Sequence, residues 1–148
     1  RGFLTLAEYA LLTAQRRHEP VSLAFVDLDR FKHINDTWGH EEGDRALIAI
    51  ADLMKAAFRE SDILARQGGD EFIILFANTS RHDAATAMET LSHNVARFNQ
   101  QAANPWQLAF SWGCVEYDPA SHPSLNALVA TADRLMYQAK QKQGRERR

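Results

Sequence analysis

Apolar positions along the chain recur with two different periods, and each change of period marks an element. Phe3, Leu6, Ala7, Ala10 and Ala14 fall at helical spacing, which predicts a helix over 3–17 that stops before Pro20. Val21 to Val26 is a nearly unbroken apolar run closed by Asp27, Leu28 and Asp29. Such a run predicts a central strand buried on both faces. Arg30 to Asn35 is predicted as a short helix with Asp29 as its N-cap, followed by a loop over Asn35–His40, where turn formers cluster. A longer helix is expected from about Glu41, with Leu47, Ile50, Ala51, Met54, Ala57 and Phe58 on its apolar face, ending near Arg59-Glu60-Ser61-Asp62. Ile63-Leu64-Ala65 and Phe72 to Phe76 then flank Gly68-Gly69 and predict a β-hairpin, the glycines' tolerance of positive φ suiting the reversal. After a loop over 78–82, a helix is predicted over 83–98 on Ala84, Ala87, Met88, Leu91, Val95 and Phe98. Asn104-Pro105 is a turn, and 107–117 alternates as a strand. A last helix runs from Ser124 to about Gln143 on Leu125, Leu128, Val129, Ala132, Leu135, Met136 and Ala139.

The order α-β-α-α-β-β-α-β-α, with one hairpin in the middle, predicts an α+β fold. Its expected form is a central antiparallel-rich sheet flanked by helices, with the helices gathered on one face, similar to a ferredoxin-like palm. The 148 residues are expected to form a single domain, and the chain is read as a piece of a longer protein because it opens at Arg1. Composition adds exclusions. A net charge of -2 gives no global basic field for nucleic acid, although Lys140, Lys142, Arg145, Arg147 and Arg148 concentrate positive charge at the C-terminus. One cysteine, Cys114, excludes an intramolecular disulfide and fits a reducing compartment, so a cytoplasmic location is expected. No apolar run approaches the roughly 20 residues of a membrane span, so no membrane contact by this domain is expected.

Candidate chemistry collects around Gly68-Gly69-Asp70-Glu71. Bare glycines let a ligand approach the backbone, and two adjacent carboxylates repel each other until a cation or a proton intervenes. An ordinary solvated turn has the same composition. The balance shifts if Asp27 and Asp29, at the end of the buried strand, lie beside the hairpin tip. Carboxylates from neighbouring strands, completed by water and phosphate oxygens, form the all-oxygen shell that Mg²⁺ prefers. Such ions activate a hydroxyl and stabilise a leaving pyrophosphate. Lys32, Lys140 and Arg145 are candidate phosphate partners, with solvated helix faces as the alternative.

Several segments in register resemble the GGDEF family of diguanylate cyclases. They are Asp27-Leu28-Asp29-Arg30-Phe31-Lys32-His33-Ile34-Asn35-Asp36, Gly39-His40, Gly43-Asp44, Arg59-Glu60-Ser61-Asp62 and the signature Gly68-Gly69-Asp70-Glu71-Phe72. Ala132-Asp133, Tyr137 and Ala139-Lys140 resemble the family's final helix, so the resemblance covers essentially the whole chain.

The resemblance implies condensation of two GTP into cyclic di-GMP with release of two pyrophosphates, dependent on Mg²⁺, with Mn²⁺ as a substitute. It implies a homodimer whose domains face each other, each holding one GTP, so the isolated domain is expected to be slow. Asp27, the Leu28 carbonyl and Asp70 are the implied metal ligands. Asp70 is also the implied base toward the 3′-hydroxyl, with Glu71 supporting the same metal and Lys32 stabilising the transferring phosphoryl. Asn35 and Asp44 match the guanine-binding pair, and Asp44 favours guanine because a carboxylate accepts from N1–H and the exocyclic amine. Phe31, Gly69, Lys140 and Arg145 complete the implied substrate contacts. Arg59 and Asp62 match the family's RxxD site, where cyclic di-GMP binds as an inhibitor.

The chain departs from the family pattern at four points. The opening DxLTGLxNR motif is not in this sequence, Gln67 stands where an aromatic residue is usual, and Thr90 stands near the usual second inhibitory arginine. The last Lys and Arg are one residue further apart than in KxxxR, as Lys140 and Arg145. Thr90 weakens the expectation of tight product binding. A catalytically weak module that binds GTP or cyclic di-GMP as a sensor is the alternative function.

Overall fold

A computed structural model describes residues 2–146, with side chains described for 2–144. Nine elements follow one another: α1 (Gly2–Arg17), β1 (Ser22–Leu28), α2 (Phe31–Trp38), α3 (His40–Ala57), β2 (Ile63–Arg66), β3 (Glu71–Phe76), α4 (Arg81–Gln101), β4 (Phe110–Glu116) and α5 (Leu125–Glu146). The strands form one sheet in the order β2-β3-β1-β4, and every neighbouring pair is antiparallel. The α+β fold and the antiparallel sheet are those the sequence predicts.

The core is split by the sheet because side chains alternate along a strand. From β1 and β3, Ala24, Val26, Leu28, Phe72, Ile74 and Phe76 face α3 and α4, where they meet Ile50, Met54, Met88 and Leu91. The intervening residues Leu23, Phe25, Ile73 and Leu75 face α1 and α5, against Ala7, Leu11, Leu128, Ala132 and Met136. Helices therefore cover both faces, not one. The unbroken apolar run of β1 is the sequence's record of that double burial. On α1 the inward residues are Ala7, Leu11 and Ala14, whereas Leu6, predicted to face inward, is exposed with Leu4, Tyr9 and Leu12.

Two glycines sit at close approaches between elements. Gly113 lies where β4 crosses α5. A Cβ there would fall 2.5 Å from the Ala132 carbonyl oxygen and 2.7 Å from the Leu135 carbonyl carbon, with the Met136 nitrogen nearer still. Strand and helix thus touch backbone to backbone. At Gly43, between α2 and α3, the neighbour is a side chain instead: a Cβ would collide with the Asn35 carboxamide.

Other corrections are local. Asp29 does not cap α2. Arg30 is the N-cap, in the left-handed region at φ 59°, and its side chain makes no capping bond. The Asp29 carboxylate turns instead to Ser111, and its backbone N–H to the Ala109 carbonyl. The predicted loop over 35–40 is mostly helix. α2 continues to Trp38, and Gly39 at φ 95° alone makes the break before α3. Residues 107–109 precede β4 rather than belong to it. Helices α4 and α5 are capped by Ser80, which accepts from Asp83 N–H, and by Ser124, which accepts from Ala127 N–H.

Candidate active site

The two inner strands carry the carboxylates. In the β1–β3 register Asp27 stands opposite Glu71, and Leu28 N–H donates to the Asp70 carbonyl at 3.0 Å. Asp27, Leu28, Asp70 and Glu71 are therefore brought to one end of the sheet, because β1 and β3 are neighbours, the condition the sequence left open. The Leu28 side chain is buried in the core, so its backbone is what it offers the site.

The hairpin that presents Asp70 is held in an unpredicted way. Neither Gly68 nor Gly69 occupies the left-handed region, which among the described glycines holds Gly39 alone. Arg66, the last residue of β2, folds over the turn. Its Nε donates to the Gly68 carbonyl at 3.1 Å and its Nη2 to the Gly69 carbonyl at 2.8 Å. Gln67 N–H donates to the Glu71 carbonyl at 2.8 Å. A Cβ on Gly68 would come to 3.0 Å from Glu71 Oε1, whereas a Cβ on Gly69 would meet nothing within 4 Å. No protein atom requires glycine at 69, so the bareness of that position faces open space.

Charge at the site is partly offset from α5. Lys140 Nζ donates to Asp27 Oδ2 at 2.9 Å and lies 3.7 Å from Asp29 Oδ1. Burial alone would lower the Lys140 pKa, but its hydrogen bond and ion pair with Asp27, together with the charges of Asp29 and Asp70, raise it overall. Asp70 is raised from the usual carboxylate range, first by burial and then by the neighbouring charge of Asp27. Glu71 is raised by burial and by the charges of Asp27, Asp70 and Asp133. These are the marks of carboxylates short of positive charge.

The test of a cation at this place is Asp27 Oδ1, which is buried and has no hydrogen-bond partner. An orphaned carboxylate oxygen near two further carboxylates suits a hard divalent ion. Among the described residues no three acidic, histidine or cysteine groups close around one point. A cation here would take its other ligands from backbone carbonyl, water and phosphate oxygens, which is the Mg²⁺ habit.

The purine-site candidates sit on neighbouring helices. Asn35 is half-buried on α2 against Gly43, and Asp44 is exposed in the first turns of α3. Phe31 packs partly against the core, and Lys32 is exposed beside it. Arg145 lies on α5, but its side chain is outside the described residues, as are Arg147 and Arg148 altogether.

Arg59 and Asp62 are at the other end of β3, roughly 20 Å away at the rise of a strand. They are bonded to each other and to the loop after β3. Arg59 N–H donates to Asp62 Oδ2 at 2.9 Å, and Arg59 Nη2 donates to the Ala77 carbonyl at 2.8 Å and to Thr79 Oγ1 at 2.6 Å. Sequence reasoning missed this closure, the Arg66 clamp and the Ser111–Asp29 bond. An arginine or serine that lies outside any apolar repeat leaves no periodic signal.

Comparison with known proteins agrees with the geometry. The family model described as "Diguanylate cyclase, GGDEF domain" matches residues 1–147. Diguanylate cyclase DosC of Escherichia coli K12 is 35% identical over 148 residues, which cover 99% of this chain and 32% of that protein. The chain thus spans about a third of that relative's length. Among solved structures, the GGDEF domain of TpbB (YfiN) from Pseudomonas aeruginosa superposes with a TM-score of 0.85 at 34% identity, covering 95% of this chain and 82% of that one. The GGDEF domain of DgcB from Caulobacter crescentus, in complex with c-di-GMP, gives 0.81 at 28% identity, covering 90% and 80%.

Proposed function

The chain belongs to the GGDEF diguanylate cyclase domain family, and from that premise we propose that it condenses two GTP into cyclic di-GMP, releasing two pyrophosphates, as a pair of domains facing each other. The observation that carries this reading is the pairing of Asp27 with the Asp70-Glu71 tip, with one buried Asp27 oxygen left unpartnered.

Asp27, the Leu28 carbonyl and Asp70 would hold Mg²⁺, with Mn²⁺ as a substitute. The ion supplies charge neutralisation on the phosphates and acidifies the attacking hydroxyl. The chain's own residues do the rest. Asp44 and Asn35 orient guanine, and the missing side chain of Gly43 leaves the Asn35 carboxamide its place. Gly69 leaves room for the nucleotide against the hairpin. Asp70, raised first by burial and then by the charge of Asp27, takes the proton of the 3′-hydroxyl as that oxygen attacks the α-phosphorus of the facing GTP, and pyrophosphate leaves. Lys32 and Lys140 balance charge on the phosphates. One domain holds one GTP, so the reaction needs a second copy.

Arg59 and Asp62 would serve as the product-inhibition site only after Arg59 Nη2 leaves Ala77 and Thr79. Cytoplasmic placement fits this chemistry, because GTP is the substrate. No described helix is long and apolar enough to cross a membrane.

The test is incubation of an artificially dimerised chain with GTP and Mg²⁺, the nucleotides being separated by chromatography. Cyclic di-GMP is expected, and Asp70→Asn should lower its rate about 10²–10⁴-fold, the range for loss of a general base. Absence of product from the dimerised wild type, or undiminished product from Asp70→Asn, refutes the reading.

A further inference from the structure

Asp27 and Asp29 flank one ammonium group but differ in what else they touch. Asp27 has one oxygen bound by Lys140 and the other buried and unpartnered. Asp29 Oδ1 receives the Ser111 hydroxyl proton at 2.8 Å, and the Ser111 oxygen lies 3.2 Å from the Gln143 carboxamide, one turn beyond Lys140 on α5. Both Asp29 and Ser111 are buried. Asp29 is therefore fixed in place, whereas Asp27 has coordination capacity to spare.

We propose that Lys140 is a built-in counter-cation that holds Asp27 until a divalent ion arrives, and that Asp29, locked by Ser111, is the positioning residue that keeps the ammonium beside the site after the exchange. The inference rests on the reading of Asp27 as a cation ligand. The nucleotide-free site is then never a bare cluster of carboxylates. A divalent ion that takes Asp27 Oδ1 meets the ammonium already on Oδ2, and the repulsion of two cations on one carboxylate moves the lysine aside, so free metal binds weakly. Metal arriving with a triphosphate binds better, because the phosphates give the displaced ammonium a new partner. Asp29 holds that ammonium within reach, since its 3.7 Å separation from Nζ closes to a hydrogen bond with a small rotation of the lysine stem.

Two measurements on the 148-residue chain test this. The nucleotide-free protein is titrated with Mn²⁺, and free ion is read by electron paramagnetic resonance. Lys140→Met should bind Mn²⁺ about tenfold tighter than wild type, the factor set by removing one partly buried charge-assisted bond from competition. Lys140→Gln, a second neutral replacement, should behave the same way. Arg134→Met, which removes an exposed charge from the same helix, should leave the affinity unchanged. Equal Mn²⁺ affinity in wild type and both Lys140 variants overturns the exchange, as does an equal gain from Arg134→Met.

The second measurement is calorimetric binding of a non-reactive GTP analogue with Mg²⁺. Asp29→Asn should weaken it severalfold in the wild-type background and not at all in the Lys140→Met background, a coupling that a merely structural Asp29 would not produce. Equal weakening in both backgrounds refutes the role of Asp29. A chain that binds no analogue overturns the nucleotide reading and the Asp29 role with it, while the Mn²⁺ titration still decides the exchange.

Discussion

Gly113→Ala places one methyl group between β4 and α5, and its cost can be worked from the geometry. The new Cβ would lie 2.5 Å from the Ala132 carbonyl oxygen, and ordinary contact begins near 3.4 Å. The helix must therefore withdraw by about 1 Å. No side-chain rotation relieves the clash, because the atoms met are all backbone. Overpacking of this kind costs about 1–3 kcal/mol, and a clash with backbone belongs at the upper end. For a domain of this size each kcal/mol lowers Tm by about 2–4 °C, so a fall of about 6–12 °C is expected. Withdrawal of α5 also carries Lys140 away from Asp27, so turnover of GTP by the dimerised protein should fall at temperatures where the variant is still folded. Thermal unfolding by circular dichroism and product chromatography give the two readings. Gly144→Ala is the control. It lies in the last turn of the same helix with nothing within 4 Å of the added Cβ, and should change stability by less than about 0.5 kcal/mol. A Gly113→Ala protein that melts within about 1 °C of wild type would refute the backbone-contact argument.

Three further outcomes are expected. Gly43→Ala should displace the Asn35 carboxamide and raise KM for GTP roughly tenfold, equivalent to about 1.4 kcal/mol, with a smaller change in kcat; steady-state kinetics would show an unchanged KM if Asn35 does not orient the base. Arg66→Gln removes two donors from the hairpin carbonyls, so backbone amide exchange at 67–70 should quicken and kcat should fall about tenfold while Tm moves little; unchanged exchange would show that the turn holds itself. Burial pushes the Cys114 thiol from 9.0 up to about 11. Because the unfolded chain loses this proton first, the group's contribution is complete below about pH 9 and is lost as pH rises toward about 11. Urea midpoints should therefore fall more steeply with pH in wild type than in Cys114→Ala over that window, and parallel slopes would refute the assignment.

The sequence made the strands, their burial and the carboxylate pair legible for a physical reason. β1 is buried on both faces, so its apolar run is continuous, and Asp27 stands out at its end. Gly68-Gly69 between two β-prone runs places Asp70 at a tip. Features that depend on two distant segments meeting were not legible. Gly113 reads as an ordinary strand glycine until α5 is laid across it, and Asp29 reads as a cap until Ser111 is beside it. The extension of α2 through Asn35-Asp36-Thr37 overrides turn propensity because Ile34 packs into the core and Gly39 supplies the only break needed. Arg59 is the opposite case: the motif is visible in the sequence, but its engagement with Ala77 and Thr79 appears only when β3 and α3 are side by side.

The bond between Lys140 and Asp27 spans 113 positions of chain. During synthesis the first acidic residue of the site leaves the ribosome long before its lysine does, and the Asp70 hairpin emerges in between. Contacts so far apart in sequence form late, after the local helices and the hairpin. The carboxylates therefore spend that interval without their internal cation, and the docking of α5 ends it. A nascent chain stalled before residue 140 would carry the signature pentapeptide and the sheet's apolar runs but not a charge-balanced site. Docking of α5 is thus the step that closes one face of the core and brings the lysine to the carboxylates.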